Sequence, residues 1–321
     1  MNNPYLKILN RNKKSIRLDV FLSSEIEDLS RSKIKQLIID GKILVDDEKI
    51  KPSTILYGGE NIRCDLELKK ENSILEPQKI NFNIIFEDEY FLAINKPAGL
   101  IVHPGNGNAS NTLANGLLYY LKDTSGLDKK RPGIIHRLDK DTSGIILVAK
   151  QNKSHQAFSE LFQDRMIEKK YEAIIWGRLE GEGKIKNLIT RNTRNKTSFS
   201  VSKVSGRESI TDYKVIENFG PLTRIEMYPK TGRTHQLRVH MKHIGHPIFA
   251  DDKYSGGVRK IKSFHSKYSS TLKRCFKIAN RQMLHASSVK FIHPFSGEPM
   301  CLSVDLSSDM SNLIRLLKNE L

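Results

Sequence analysis

Long apolar runs are missing from this sequence: the longest, Gly144 to Ala149, falls far short of the roughly 20 residues that carry a helix across a bilayer. No spanning helix is expected, and the opening MNNPYLKILNRNKKS lacks the apolar stretch of a secretory signal. Cysteine is scarce too. Cys64, Cys275 and Cys301 lie far apart, so neither a disulfide framework nor a paired CxxC zinc motif is available, and a reducing compartment, the cytoplasm, is expected. There is no GxGxxG loop, no Walker loop and no HExxH, so the usual signals of dinucleotide, nucleoside triphosphate and zinc-peptidase chemistry are missing. Acidic residues are in deficit: 36 of them face 53 lysines and arginines, a formal charge of +17. Folding does not need such an excess. It suits a polyanionic partner, nucleic acid ahead of a membrane surface. With 321 residues the chain has room for one large and one small domain.

After a short basic arm, residues 17 to 62 read as a compact unit. Ser30 or Ser32 is a candidate N-cap, Ile34, Leu37 and Ile38 follow at helical spacing, and Gly41 ends the helix before a strand from Lys42 to Val45. Arg31, Lys33 and Lys35 project from this helix. The core pattern SR-x-x-I-x-x-x-I-x-x-G-x-I-x-V resembles the S4 RNA-binding domain, and the resemblance implies that Arg31, Lys33, Lys35 and Lys42 face RNA. A solvated charged helix is the bland alternative.

A polar stretch from Glu67 to Lys79, without periodicity, reads as a linker. The expected division is therefore 1–66 for arm and small domain, 67–80 for the linker and 81–321 for a catalytic domain. In the last part, β-rich runs (Phe82 to Phe86, Phe91 to Asn95, Gly144 to Ala149, Tyr171 to Trp176, Ser209 to Ile216, Thr223 to Tyr228) alternate with helical patterns such as Ser154 to Met166. This predicts an α+β fold on a mixed, largely antiparallel sheet. No repeat or coiled coil is evident.

Chemistry concentrates in RPGIIHRLDKDTSGIILVAK, residues 131 to 150, which sets His136, Arg137, Asp139, Lys140 and Asp141 between apolar runs. Structural loops rarely need such a cluster of charge. Spacing alone does not choose between Asp139 and Asp141, because a turn would relax the alternation of an extended strand. A second dense block, YPKTGRTHQLRVHMKHIGHPIFADDKYSGG, reads as a helix with Thr234 as cap, Leu237, Met241 and Ile244 on one face, and Gly245 with Pro247 at its end. Its His235, His240, His243 and His246 with Asp251 and Asp252 invite a metal-hydrolase reading. The five-residue step from His235 to His240 is poor for one metal on a helix, and no metal is expected.

The stretch G-I-x-H-R-L-D-x-D-T-S-G-x-x-x-V-A-K resembles the signature of the RluA family of pseudouridine synthases, whose essential aspartate follows Arg-Leu. FEDEYFLAINKPAGLIVHPG, MIEKKYEAIIWG and the histidine-rich block resemble its other motifs. The resemblance implies a cofactor-free isomerisation of uridine to pseudouridine with Asp139 as nucleophile, Tyr171 against the target base and Arg238 paired with Asp139. An arginine there favours the ionised carboxylate. Leu237 is expected under the site, Arg137 in the space left by an extruded base, and His136 and Arg233 beside the substrate. The segment Tyr254 to Arg281 carries eight basic residues and no acidic one, so Arg259, Lys260 and Lys262 are expected to contact phosphates. Its Tyr-x-Gly-Gly opening and the following RQMLHA resemble the RluD-like subgroup, which implies large-subunit (23S) ribosomal RNA as partner, within a particle or precursor. Nothing in the sequence demands more than a monomer. A noncatalytic RNA-binding factor is the competing reading.

Overall fold

A computed structural model describes residues 6–9, 15–26, 31–65, 75–105, 108, 110–121, 127, 131–192, 195 and 197–321. The chain divides into two units, Met1–Ser73 and Ile74–Leu321. The first contains β1 (Leu6–Leu9), β2 (Ile16–Arg17), α1 (Leu18–Glu25), α2 (Arg31–Ile39), β3 (Ile43–Val45), β4 (Ile55–Leu56) and β5 (Asn61–Cys64). Strand β5 pairs antiparallel with β1 and β3, and β2 pairs with β4. Leu18, Phe21 and Leu22 of α1 repeat at helical spacing and bury against Ile34 and Ile38 of α2 and against Ile43, Leu56 and Ile62. Gly41, at φ 71°, turns the chain out of α2, where its own N–H and that of Lys42 donate to Ile38 and Leu37. Of the two expected caps, Ser32 lies inside the helix and Ser30 lies outside the described residues.

The second unit is built on β6 (Asn83–Glu87), β7 (Phe91–Lys96), β8 (Ser143–Ala149), β9 (Glu168–Trp176), β10 (Glu182–Arg191), β11 (Phe199–Ser202), β12 (Arg207–Asn218), β13 (Leu222–Pro229), β14 (Leu284–Ile292) and β15 (Pro299–Ser303). They form one ten-stranded sheet in the order β11-β10-β12-β13-β9-β14-β8-β7-β6, with β15 on β14. Among the described pairings only β8 with β14 is parallel, so the sheet is mixed and largely antiparallel. Helices α3 (Leu113–Leu121), α4 (Asn152–Gln163), α5 (Gln236–His243), α6 (Ser269–Ile278) and α7 (Ser308–Glu320) complete the unit. Helices α6 and α7 bury Leu272, Cys275, Met310, Leu313 and Leu317 against Trp176 and Phe249.

Strands β10, β11, β14 and β15 were not expected. β10 and β11 are rich in polar and half-buried residues, so apolar alternation is weak in them. Residues 67–74 of the expected linker lie outside the described residues, and its remainder packs on the second unit: Leu75 is buried with Leu92 and Ile94, and Asn115 Nδ2 donates to the Glu76 carbonyl. Thr234 does not cap α5. The helix begins two residues later, after His235 in the left-handed region, because the Gln236 side chain accepts from Arg233 N–H and Thr231 hydroxyl and so staples the turn itself.

One register positions the site. Ala286 of β14 lies opposite both Tyr171 of β9 and Gly144 of β8, so Tyr171 is two strands away from the start of β8, which follows the 131–142 loop. Gly144, at φ 109°, permits this: a Cβ there would lie 2.1 Å from the Ala286 carbonyl oxygen.

Candidate active site

The two carboxylates that spacing left equivalent part company in three dimensions. The loop turns at Asp139, whose carbonyl accepts from Thr142 N–H. Asp139 extends its side chain into a cleft of about 530 Å³ lined by Arg137, Leu138, Tyr171, Arg233, Leu237 and Arg238 among others. Asp141 instead borders a separate cavity of about 880 Å³ with Lys96 and Arg281.

The charge of Asp139 is met by Arg238. Arg238 Nη1 donates to Asp139 Oδ2 at 2.9 Å, and its other edge forks onto Asp251, Nε to Oδ2 at 2.7 Å and Nη2 to Oδ1 at 2.9 Å. The Asp251 fork fixes the guanidinium plane, which leaves Nη1 aimed at the cleft. Burial opposes the charge, yet the hydrogen bonds and charges of Asp251 and Asp139 raise the Arg238 pKa above its usual value. Of these side chains Asp139 is the one open to a substrate, 18 % exposed against 8 % for Arg238 and 1 % for Asp251.

Tyr171 stands in the same cleft and packs on the cluster that contains Leu237 and Met241. Its hydroxyl has no hydrogen-bond partner among the described residues. Burial, and then the charge of Asp139, push its pKa up, so the group presented to a substrate is a neutral phenol. Arg137 is exposed at the cleft and makes no ion pair among the described residues. Arg233 is half-buried, with Nε 3.3 Å from the Glu208 carbonyl. His136 lines the cleft but is already engaged: Nε2 accepts from Leu147 N–H at 2.8 Å and the ring lies 4.7 Å from that of Phe162. Burial pushes its pKa down to about 3. Lys169 and Lys230 also line the cleft, and burial followed by the charge of Lys230 lowers Lys169 to about 8.

Residues outside the cleft support the loop. Fully buried Lys96 donates from Nζ to the carbonyls of Pro97, Leu100 and Lys140, and Gly99 N–H also reaches the Lys140 carbonyl, so the Asn-Lys-Pro block clamps the loop one residue past Asp139. Arg281, counted above among the phosphate-directed cations, is buried. Its guanidinium pairs with Asp309 and donates to the Asp141 carbonyl and Ser143 hydroxyl, tying the loop to α7. Exposed Arg274 pairs with Glu320, whereas Arg259 and Lys262 are exposed and Lys260 half-buried. The histidine-rich helix does not converge on a metal: His240 contacts the Thr211 hydroxyl and His246 the Trp176 carbonyl, and among the described residues no group of three histidine, cysteine or acidic side chains has the arrangement.

In the first unit, buried Asp19 gathers three cations. Arg17 and Arg31 reach it at 3.0 Å and Lys35 at 3.3 Å, each with a side chain close to half exposed. The Arg17 hydrogen bond, working against burial and joined by those of Arg31 and Lys35, draws Asp19 down to about 2. Lys33 lies in α2 with its side chain outside the described residues, and Lys42 is half-buried at the entry to β3.

Residues 90–243 match the family described as RNA pseudouridylate synthase, and residues 16–62 match the S4 domain. Over 303 residues the chain is 39% identical to the ribosomal large subunit pseudouridine synthase D of Yersinia pestis, covering 94% of this chain and 91% of that protein. The chain belongs to the RNA pseudouridylate synthase family. The Escherichia coli (strain K12) protein of the same name is 38% identical over 311 residues, 97% of this chain and 93% of its own length. Among solved structures, human RNA pseudouridylate synthase domain containing 4 is similar with a TM-score of 0.54 and 25% identity, over 74% of this chain and 93% of that one. The chain is thus an RNA pseudouridine synthase, an isomerase. Among the described residues no helix is long and apolar enough to cross a membrane.

Proposed function

We propose that this pseudouridine synthase isomerises uridines of large-subunit ribosomal RNA, with Asp139 as the nucleophile. The observation that carries the reading is Asp139 in an open cleft, held through one oxygen by a cation that Asp251 fixes from behind. The names of the full-length relatives support the substrate.

The chemistry breaks the N1–C1′ bond of uridine, turns the base and makes a C5–C1′ bond. The proton lost from C5 is matched by one gained at N1, so no oxidant or phosphate donor is required. Asp139 either attacks C1′ or assists a glycal route, and both use the same carboxylate. The target base leaves its stack at a cost of a few kcal/mol. Neutral Tyr171 lies against the uracil, Leu237 forms the floor and Arg137 fills the vacated stack. Arg233, Lys169 and Lys230 meet flanking phosphates, and His136 acts by bracing the loop through Leu147. The basic face around Asp19 and the exposed Arg259 and Lys262 engage other parts of the RNA. The enzyme acts as a monomer, on a large-subunit particle or its precursor, in the RluD-like manner.

Asp139→Asn tests this reading, because the amide keeps the shape and removes the nucleophile. On large-subunit RNA lacking modification, pseudouridine formation is expected to fall by about 10⁴-fold or more, with RNA affinity within about twofold of the parent protein. Undiminished modification would exclude Asp139 as nucleophile.

A further inference from the structure

His235 stands beside the nucleophile and the mechanism above gives it nothing to do. Its Nε2 lies 3.9 Å from Asp139 Oδ1, the oxygen that Arg238 leaves free, and its Nδ1 lies 2.6 Å from the Tyr254 hydroxyl. The Tyr254 oxygen also accepts from Phe199 N–H at 3.0 Å. Tyr254 is 1 % exposed, so its one hydroxyl proton needs a partner inside the protein. Phe199 offers a donor, not an acceptor. Among the described residues His235 Nδ1 is the remaining acceptor in reach, so the hydroxyl proton points to Nδ1 and the imidazole carries its own proton on Nε2, facing Asp139. Burial supports the neutral ring by lowering its pKa to about 4.

We infer that His235 is a positioning residue for the isomerisation: Phe199 and Tyr254 lock its tautomer so that Nε2–H holds the second oxygen of Asp139. Catalytic hydrogen bonds are often long without substrate and tighten when it binds, which is the expected fate of the 3.9 Å separation. A neutral donor suits this place. It fixes the carboxylate plane at both oxygens while adding no second positive charge beside a nucleophile whose negative charge is needed. Arg238 packs 4.9 Å from the centre of the Tyr254 ring, so one aromatic side chain supports both partners of Asp139.

The inference rests on Asp139 as nucleophile, and the experiment separates the two. Full-length Tyr254→Phe keeps the ring under Arg238 and removes the hydroxyl. Its single-turnover rate on unmodified large-subunit RNA is expected to fall roughly 10-fold, the loss of a donor to a charged group, with RNA affinity within about twofold. His235→Leu is expected to lose roughly 100-fold in rate, and His235→Gln, which can present an amide N–H near the Nε2 position, to recover most of it. Nitrogen NMR of the parent protein should show His235 protonated on Nε2 and bare on Nδ1, and Tyr254→Phe should mix the tautomers. A proton on Nδ1, a parental rate for Tyr254→Phe, or a glutamine variant as slow as the leucine variant overturns the role. Measured alongside, an inactive Asp139→Asn keeps the nucleophile assignment intact even then, while an active one removes the assignment itself.

Discussion

Each unit of this protein buries a charge and surrounds it with opposite charges, but with the signs and the surplus reversed. In the first unit one carboxylate, Asp19, is shared by three cations whose side chains are about half exposed. In the second, one cation, Arg238, is shared by two carboxylates, one sealed and one facing the cleft. The cluster around Asp19 therefore shows a net positive face to solvent, which suits a polyanion, and the cluster around Arg238 shows a single negative group to whatever enters the cleft. Solvent access also sets the energetics: half-exposed cations can return to water when their partner is lost, whereas sealed Asp251 cannot.

The largest effect should come from breaking the sealed pair. Arg238→Ala leaves Asp251 buried without its cation and is expected to destabilise the second unit by about 3–5 kcal/mol. Urea unfolding followed by the fluorescence of Trp176, the single tryptophan and fully buried in this unit, measures it. Turnover should fall far more than RNA affinity, since Asp139 loses its hydrogen bond while Lys169 and Lys230 at the cleft are untouched. Equal losses in both would make Arg238 a phosphate contact instead.

Asp19→Asn should cost less, about 1–3 kcal/mol, because Arg17, Arg31 and Lys35 can rehydrate. The cysteines report each unit separately. Cys64 is buried in the first unit and Cys275 in the second, while Cys301 is exposed. Thiol labelling at Cys64 is expected to quicken by roughly 10-fold or more with Cys275 unchanged. If Cys64 keeps its parental rate, Asp19 does not organise the first unit and the contrast between the two clusters fails.

The pairing of Asp139 with Arg238 was legible in the sequence, but only through the pattern as a whole. Alternation left Asp139 and Asp141 equal, and what separates them is the turn at Asp139, which sends the two carboxylates toward different cavities. Asp251 was visible only as one acid in a histidine-rich block. Its role depends on a fork closing between residues 13 apart across a helix end, which no local periodicity encodes. Arg281 was misread because a buried arginine and an exposed one look alike in sequence, and its partner Asp309 lies 28 residues away. The general α+β architecture followed from alternating apolar runs, while β10 and β11 escaped because polar and half-buried residues blur that alternation.

Acid should sharpen the comparison further, since all ten histidines fall after residue 100 and the first unit contains none. Burial lowers His240 and His285 from the usual 6.5 to about 4. Between those values the unfolded chain binds protons that the folded one refuses, so stability rises with pH across this window and is lost as pH falls. Asp19 behaves otherwise: its pKa is depressed from 3.8 to about 2, so its contribution is intact above 3.8 and disappears only as pH falls toward 2. Lowering the pH from 7 to 4.5 is therefore expected to reduce the stability reported by Trp176 while leaving the protection of Cys64, after correction for thiolate chemistry, nearly constant. The smallest effect belongs to a single histidine. His240 is sealed, with Nδ1 2.9 Å from the Thr211 hydroxyl, and His240→Gln should flatten the pH dependence of urea stability by at most about 1.4 kcal/mol per pH unit. A slope unchanged by that substitution would mean that His240 takes up its proton in the folded state as readily as in the unfolded one, and that the acid sensitivity of the second unit lies elsewhere.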